Sequence, residues 1–192
     1  MAFMSPDTKA VSGALSTVVS EISHALRSVR IENCQRAARM IASAPRLYFA
    51  GAGRSGIGMG MNAMRFMHLG LKVHMLSEPT APAVNYGDVV IIPSGSGNTK
   101  SMLAITHKVM CAGADVIALT TAADSPLSQI ATVSIIIDAA GKQSSHRGST
   151  VQYAGSLFEQ AAILVLDSIF HAIWQANHLE KDVLWARHAN WE

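Results

Sequence analysis

The chain has 192 residues, of which 49% are hydrophobic and 15% charged, and its formal net charge is +2. This composition is typical of one compact domain with a buried core, and it excludes intrinsic disorder as the main state. Because the sequence has no basic run, we do not expect a nucleic acid as partner. The two cysteines form no metal-ligand or redox motif, so we expect no metal site and a cytoplasmic location.

Neither a signal sequence nor a membrane span is expected. Residues 1–9 lack a basic region followed by an apolar one, which a secretory signal requires. The most apolar stretch, residues 161–174, is too short to cross a bilayer, and it contains Asp167 and His171.

The first 45 residues are predicted to be helical, as two helices. Apolar residues recur at three- and four-residue steps as far as Val29, and a second helical stretch over residues 31–44 ends before Pro45. The remainder, residues 46–192, shows no internal repeat and no linker. We therefore predict a single domain over residues 1–192 that begins with a helical segment.

Five short apolar runs after residue 45 have the composition of β-strands. Helical stretches lie between them at about residues 55–69, 99–112 and 126–131. This alternation predicts an α/β sandwich of three layers, with a five-stranded parallel sheet between helices. We expect the flavodoxin-like strand order 2-1-3-4-5. The predicted strands are Arg46–Ala50, Lys72–Leu76, Asp88–Ile92, Asp115–Leu119 and Val133–Ile137.

A polar segment, residues 141–153, follows the last predicted strand and contains Lys142, His146 and Arg147. A loop of this length in a compact domain is usually functional or mobile. It leads into a predicted helix over about residues 156–176 that is apolar on nearly every face. Such a helix must be buried, and a subunit interface is one place for it.

The first predicted strand ends in Gly51-Ala52-Gly53-Arg54-Ser55-Gly56, which matches G-x-G-x-x-G between a strand and a helix. Dinucleotide sites carry this pattern together with an acidic residue near the end of the second strand, where Glu78 lies. A dehydrogenase would also need a substrate domain or a Tyr-x-x-x-Lys pair, and neither is present. An NAD-type site and a turn that serves packing alone both remain open.

The third predicted strand leads through Ser94-Gly95-Ser96-Gly97-Asn98-Thr99 directly into a helix. The unpaired N–H groups and the dipole at a helix N-terminus favour a bound anion. Three hydroxyls of this loop can donate to phosphate oxygens, and its glycines let the backbone curl around the anion. A Ser or Thr N-cap would explain one hydroxyl but not the whole run. We therefore predict an anion site here.

The predicted strand order brings the two glycine-rich segments together. In the order 2-1-3-4-5 the first and third strands are neighbours at the topological switch point, where α/β proteins bind ligands. Ser55 then lies on one wall of the pocket, opposite Ser94, Ser96 and Thr99. This arrangement suits a small phosphorylated ligand better than a dinucleotide.

Three side chains are candidates for acid–base chemistry. Glu159 opens the last long helix among apolar neighbours, where partial desolvation suits a proton carrier, but a first-turn carboxylate also stabilises the helix dipole. His68 is equally explained as a cation at a helix C-terminus, and His188 as a surface residue. The residues alone leave these alternatives open.

The glycine-rich segments resemble those of the sugar isomerase (SIS) domain, and the whole chain is similar to the 6-phospho-3-hexuloisomerase family within that superfamily. The family-specific marks are residues 152–160 and the chain end. The sequence departs from the family at Trp191, where Leu is expected, and at Pro93. The segments that carry the resemblance are Gly51–Gly56, Met64–Gly70, Ser94–Thr99, Gln152–Gln160 and Arg187–Asn190.

The resemblance implies an isomerase without cofactor or metal that converts 3-hexulose 6-phosphate to fructose 6-phosphate in formaldehyde-fixing or pentose-supplying metabolism. Glu159 resembles the catalytic base, His68 resembles its histidine partner, and His188 is the alternative histidine. The family is usually a homotetramer in which the chain end and His68 reach a neighbour's site. Another SIS-type phosphosugar isomerase and a non-catalytic phosphosugar sensor remain open. The implied substrate- and phosphate-binding residues are Gly53, Arg54, Ser55, Ser94, Gly95, Ser96, Thr99 and Gln152.

Overall fold

The computed structural model describes residues 3–139 and 150–191. Its five strands form one parallel sheet in the predicted order β2-β1-β3-β4-β5. The strands are β1 (Leu47–Phe49), β2 (Val73–Met75), β3 (Val89–Pro93), β4 (Asp115–Thr120) and β5 (Val133–Ile136). The helices are α1 (Thr8–Arg27), α2 (Ile31–Ser43), α3 (Gly53–His68), α4 (Lys100–Cys111), α5 (Pro126–Ile130), α6 (Ser156–Ala176) and α7 (Lys181–Trp185).

The predicted α/β sandwich of three layers is confirmed. All five strands and the helices between them lie within two residues of their predicted bounds, whereas α7 was not predicted. Of the polar segment 141–153, only residues 150–153 are described, so the predictions for Lys142, His146 and Arg147 lie outside the described residues.

The central strand β3 is buried along its whole length and pairs with β1 and β4. A parallel strand covered on both faces requires such a continuous apolar run. Because successive side chains point to opposite faces, Ile91 packs in a core with α1, α2, α3 and α6, while Val90 packs in a second core with α4 and α5. Pro93 ends β3, where a missing N–H costs little.

Helix α6 is the main core helix of the larger layer. It has 21 residues and is long and apolar enough to cross a membrane by length and composition alone, so the length argument made for residues 161–174 does not hold for the whole helix. However, half of its most apolar window is buried inside the fold, where it packs against α1, α2 and α3. Its apolar faces are therefore largely explained by the core.

Candidate active site

The two glycine-rich segments begin at the same edge of the sheet, as predicted. Phe49 of β1 lies opposite Ile91 of β3, and the Ala50 N–H donates to the Ile91 carbonyl oxygen at 3.0 Å. The turn into α3 and the loop into α4 follow these residues directly. Both helix N-termini therefore face the crevice beyond the carboxyl ends of neighbouring strands.

The turn between β1 and α3 depends on glycines for close packing. A Cβ on Gly51 would lie 2.7 Å from the Gly56 Cα, and a Cβ on Gly56 would lie 2.8 Å from the Gly51 carbonyl oxygen. Gly53 has a φ of +58° and nothing within 4 Å of a Cβ, so it provides the backbone conformation that starts α3. The packing interpretation thus accounts for Gly51 and Gly56. Arg54 and Ser55 follow in the first turn of α3.

The loop into α4 leaves the helix N-terminus uncapped by a side chain. Thr99 is the N-cap residue, but its side chain makes no capping hydrogen bond. Its hydroxyl instead shares a hydrogen bond of 2.9 Å with the Ser94 hydroxyl, and the exposed Ser96 accepts from the Asn98 N–H. An ordinary Thr N-cap therefore does not explain this loop, and the geometry leaves first-turn N–H groups available to an anion.

The segment after β4 holds the α4 loop in place. The Gly95 carbonyl oxygen accepts hydrogen bonds from the Thr121 N–H at 2.9 Å and from the hydroxyls of Thr121 and Thr120 at 2.8 and 3.1 Å. Gly97, with a φ of +60°, lies against Ser125, whose Oγ would be only 2.0 Å from a Cβ at this position. These contacts were not predicted, and they make the loop a preformed structure.

Glu159 and its neighbour Phe158 lie in the first turn of α6, and each contacts one of the two glycine-rich segments. Glu159 is only 5% exposed, and its Oε2 accepts a hydrogen bond of 2.5 Å from the Nε of Arg54, whose side chain is 69% exposed. The neighbouring ring of Phe158 packs on the α4 loop, 3.3 Å from a Cβ placed on Gly95. A buried carboxylate, an exposed cation and the α4 N-terminus thus share one edge of the sheet.

Gln152 contacts α1. Its side-chain amide donates a hydrogen bond of 3.0 Å to Glu21 of α1, which also accepts from the Thr150 hydroxyl and the Val151 N–H. Burial raises the pKa of Glu21, but these three hydrogen bonds outweigh it, so the pKa is lowered overall. In this structure Gln152 fastens the segment before α6 to α1.

Both candidate histidines lie at the far end of α3 from Glu159. His68 is the last residue of α3, and 14 residues at about 1.5 Å each place it roughly 21 Å along the helix from Arg54. His188 stacks on its ring, with the centroids 3.9 Å apart. Within one chain, the structure therefore does not bring these imidazoles to Glu159.

The described residues contain no group of three or more His, Cys, Asp or Glu side chains that could hold a metal ion. Both cysteines are free: Cys34 is half-buried, and Cys111 is exposed. Burial raises the pKa of the Cys34 thiol, which disfavours the reactive thiolate.

Comparisons with known proteins agree with this architecture. The family described as "SIS domain" matches residues 40–164. The 3-hexulose-6-phosphate isomerase of Mycobacterium gastri is 40% identical over 182 residues, which cover 95% of this chain and 92% of the relative. The enzyme of the same name from Bacillus subtilis is 33% identical over 179 residues, with coverages of 93% and 97%.

Solved structures show the same relationship. The crystal structure of a Methanococcus jannaschii protein, described as inferring a function of 3-hexulose-6-phosphate isomerase, has a TM-score of 0.80 at 25% identity. The match covers 94% of this chain and 99% of that one. An Escherichia coli protein shares the fold over 96% of this chain and 100% of its own, with a TM-score of 0.78 at 18% identity. This chain belongs to the SIS-domain family and, within it, to the family of the 3-hexulose-6-phosphate isomerases.

Proposed function

We propose that this protein interconverts D-arabino-3-hexulose 6-phosphate and D-fructose 6-phosphate through an enediol, without a cofactor. The observation that carries the proposal is the buried Glu159 carboxylate, held by Arg54 at the edge where the uncapped α4 helix begins. Two relatives named for this activity, each covering more than 90% of the chain, support the choice of sugar. The family resemblance supports a cytoplasmic location and a role in formaldehyde-fixing or pentose-supplying metabolism.

The phosphate binds at the N-terminus of α4, with donors from Ser94, Ser96 and Thr99. The hydrogen bond between the Ser94 and Thr99 hydroxyls opens so that both donate to the anion. Since the loop is already fixed by the segment after β4, little ordering is needed on binding. Anchoring of this non-reacting group orients the carbon chain toward Glu159.

Glu159 is the base of the reaction. It removes the proton at C2, next to the C3 carbonyl, and the electron pair of the broken C–H bond forms the C2=C3 double bond of the enediol. Return of the proton to C3 leaves the ketone at C2. Arg54 keeps the Glu159 carboxylate in position. A histidine moves protons between the two sugar oxygens or stabilises the enediolate.

That histidine is supplied by a second subunit, because the two candidates, His68 and His188, lie at the opposite end of α3. The outward face of α3 suits such an interface. Ile57, Met61 and Met64 follow each other at helical spacing and are 74%, 58% and 57% exposed. A contiguous apolar surface of this kind on a helix commonly marks a protein interface.

We infer that the two subunits pair about Met61. Met61 lies seven residues from Arg54 and seven residues from His68. If two α3 helices pack antiparallel about a two-fold axis near Met61, the His68 end of one helix lies level with the Arg54 end of the other. Each chain's histidine pair then lies level with its partner's Glu159, which Arg54 holds. A second apolar stripe, Val11, Leu15 and Val19 on α1, is 55–65% exposed and provides another interface. Two separate exposed apolar surfaces support a homotetramer.

The substitution Met61→Glu tests the assembly. Two carboxylates brought together at the two-fold axis repel, so light scattering should show a smaller species and turnover should fall with it. Met61→Leu preserves the apolar face and should behave as wild type. A full-sized, active Met61→Glu variant would place the interface elsewhere.

The activity is tested by mixing the protein with 3-hexulose 6-phosphate in EDTA and coupling fructose 6-phosphate formation to NADPH production. Glu159→Gln should lower kcat by roughly 10²–10⁴-fold with little change in KM. The matched control, Glu78→Gln, changes an exposed carboxylate after β2 and should retain turnover. Ser96→Ala should chiefly raise KM.

Three results would redirect the proposal. Near-normal turnover in Glu159→Gln would remove this residue from the mechanism. Protection of the protein against heat by fructose 6-phosphate, without turnover, would favour a sensor. Turnover of a different phosphosugar alone would favour another isomerase of the same fold.

A further inference from the structure

Two imidazoles stack at the C-terminal end of α3, one from the helix and one from the chain end, and only one of them is exposed to solvent. The rings of His68 and His188 lie 3.9 Å apart at an interplanar angle of 23°. His68 is 3% exposed, whereas His188 is exposed and also lies against the Trp185 ring, at 4.6 Å. A ring as buried as His68 cannot contact a sugar without a rearrangement, but His188 can.

The chain end is docked on α3 by more than this stacking. Arg187 donates a hydrogen bond of 2.8 Å from Nη1 to the carbonyl oxygen of His68. Its guanidinium passes over Gly70, where a Cβ would lie only 2.9 Å from Cζ, so a side chain at this position would force Arg187 to shift. Gly70 also has a φ of +91°, a backbone conformation that favours glycine over other residues.

The surroundings of His68 disfavour a second positive charge. Burial lowers the pKa of His68, and the nearby His188 and Arg65 lower it further. Among the described residues, the charged and titratable groups facing His68 are Arg65 on its own helix and Arg187 and His188 on the chain end. These surroundings therefore favour the neutral form of the His68 ring.

We propose that His188 is the histidine that touches the sugar and that His68 is a positioning residue, a neutral aromatic surface that fixes the plane of the His188 ring. This inference rests on the proposed function, including the two-fold pairing that brings this end of α3 to the partner's Glu159. The protonated His188 gives its proton to O3 as Glu159 takes the proton from C2. In the second step the neutral His188 accepts the proton of the O2 hydroxyl as the C2 carbonyl forms. Glu159 at the same time gives the proton that it took from C2 to C3.

Variants of the two rings have opposite expected effects. His188→Phe keeps the stacking but removes the proton carrier, so kcat should fall by roughly 10²-fold or more. His68→Phe keeps an aromatic surface and should retain kcat within about threefold, whereas His68→Ala should lose activity that the Phe variant restores. The control His171→Phe alters an exposed ring that contacts Trp174, and it should leave turnover unchanged.

The pH profile of kcat separates a proton carrier from a structural ring. The change of kcat with pH that a catalytic histidine causes should persist in His68→Phe and disappear in His188→Phe. The inference is overturned if His188→Phe keeps both this change with pH and a kcat within threefold of wild type. This result stands even if His68→Phe fails to fold, because position 188 is exposed.

NMR titration of the His68 imidazole provides a test that does not depend on turnover. His68 should titrate below the ordinary pKa of a histidine, and His188→Phe should raise its midpoint because a neighbouring cation is removed. A His68 midpoint at or above the ordinary value would overturn the inference. An inactive wild type with the expected titration would instead refute the proposed function and leave the stacked arrangement standing.

Discussion

Substitution of Gly97 by Ala tests whether the α4 loop is held rigidly by its neighbours. A Cβ at this position would lie 2.0 Å from the Ser125 Oγ and 2.3 Å from the Ser125 Cβ. Since carbon atoms normally approach to about 3.5–4.0 Å, the loop or the start of α5 must move by more than about 1 Å. Gly53 has nearly the same φ, +58° against +60°, but nothing within 4 Å of its Cβ position. It is therefore a matched control for backbone strain.

The expected effects follow from these two contributions. A left-handed conformation costs an alanine about 1–2 kcal/mol, which reduced freedom of the unfolded chain offsets by about 0.4–1 kcal/mol. Gly53→Ala should therefore lower the free energy of unfolding by up to about 1.5 kcal/mol. The steric overlap at Gly97 adds about 1–3 kcal/mol. In a chain of this size each kcal/mol lowers Tm by roughly 2–4 °C.

Urea unfolding and thermal melts measure the difference in stability between Gly97→Ala and Gly53→Ala. A double variant identifies the cause of this difference. Adding Ser125→Gly to Gly97→Ala removes both overlapping atoms and, although Ser125 caps α5, should cost only a few tenths of a kcal/mol as a cap. The double variant should recover most of the lost stability. Because Gly97→Ala displaces the α4 loop, it should also raise KM, and the double variant should lower KM again. Equal stability losses for Gly97→Ala and Gly53→Ala, or no recovery in the double variant, would refute the reasoning.

Two further predictions concern ion pairs and pH. Arg46→Met leaves the Asp88 carboxylate, 1% exposed, without its bidentate cation and should lower the stability measured by urea unfolding, whereas the exposed Arg39→Met should be nearly neutral. An equal loss in both would contradict this ranking. The pKa of Glu21 is lowered in the folded state relative to the unfolded state. Its hydrogen bonds to residues 150–152 therefore stabilise the fold at pH values above the unfolded-state pKa. This stabilisation is lost as the pH falls through the folded-state pKa. Glu21→Gln should therefore be less stable than wild type at pH 7 but not at acid pH, and a difference that persists in acid would show that charge is not the cause.

The fold was predictable because its signals are local. Each strand is a short buried run between turn residues, and β3 is apolar along its entire length. Alternation with helices then determines the layers and the parallel direction. Helix α7 gave no such signal, because it has five residues and only Leu184 is buried. A single inward side chain produces no periodicity.

The candidate site was predictable only as separate segments. The anion loop and Glu159 stand out as local motifs, but the Arg54–Glu159 ion pair joins positions 105 residues apart and has no sequence pattern. The hydrogen bonds from Thr120 and Thr121 to Gly95 could have been predicted from the sequence. Thr120 ends β4, the strand next to β3, so both threonines must lie at the same edge of the sheet as the α4 loop. The roles of the site residues stay predictions.

The proposal of a second subunit rests on the two faces of α3, which sequence alone cannot distinguish. Met59 and Ala63 are buried against the core, whereas Met61 and Met64 point outward, yet all four are small or apolar residues of one helix. The fold of one chain separates the core face from the outward face. The length of the helix then separates Arg54, which holds Glu159, from His68 by roughly 21 Å, far beyond the reach of a proton transfer. The proposed mechanism therefore needs a second subunit, and the exposed Met61 lies midway along α3 between Arg54 and His68.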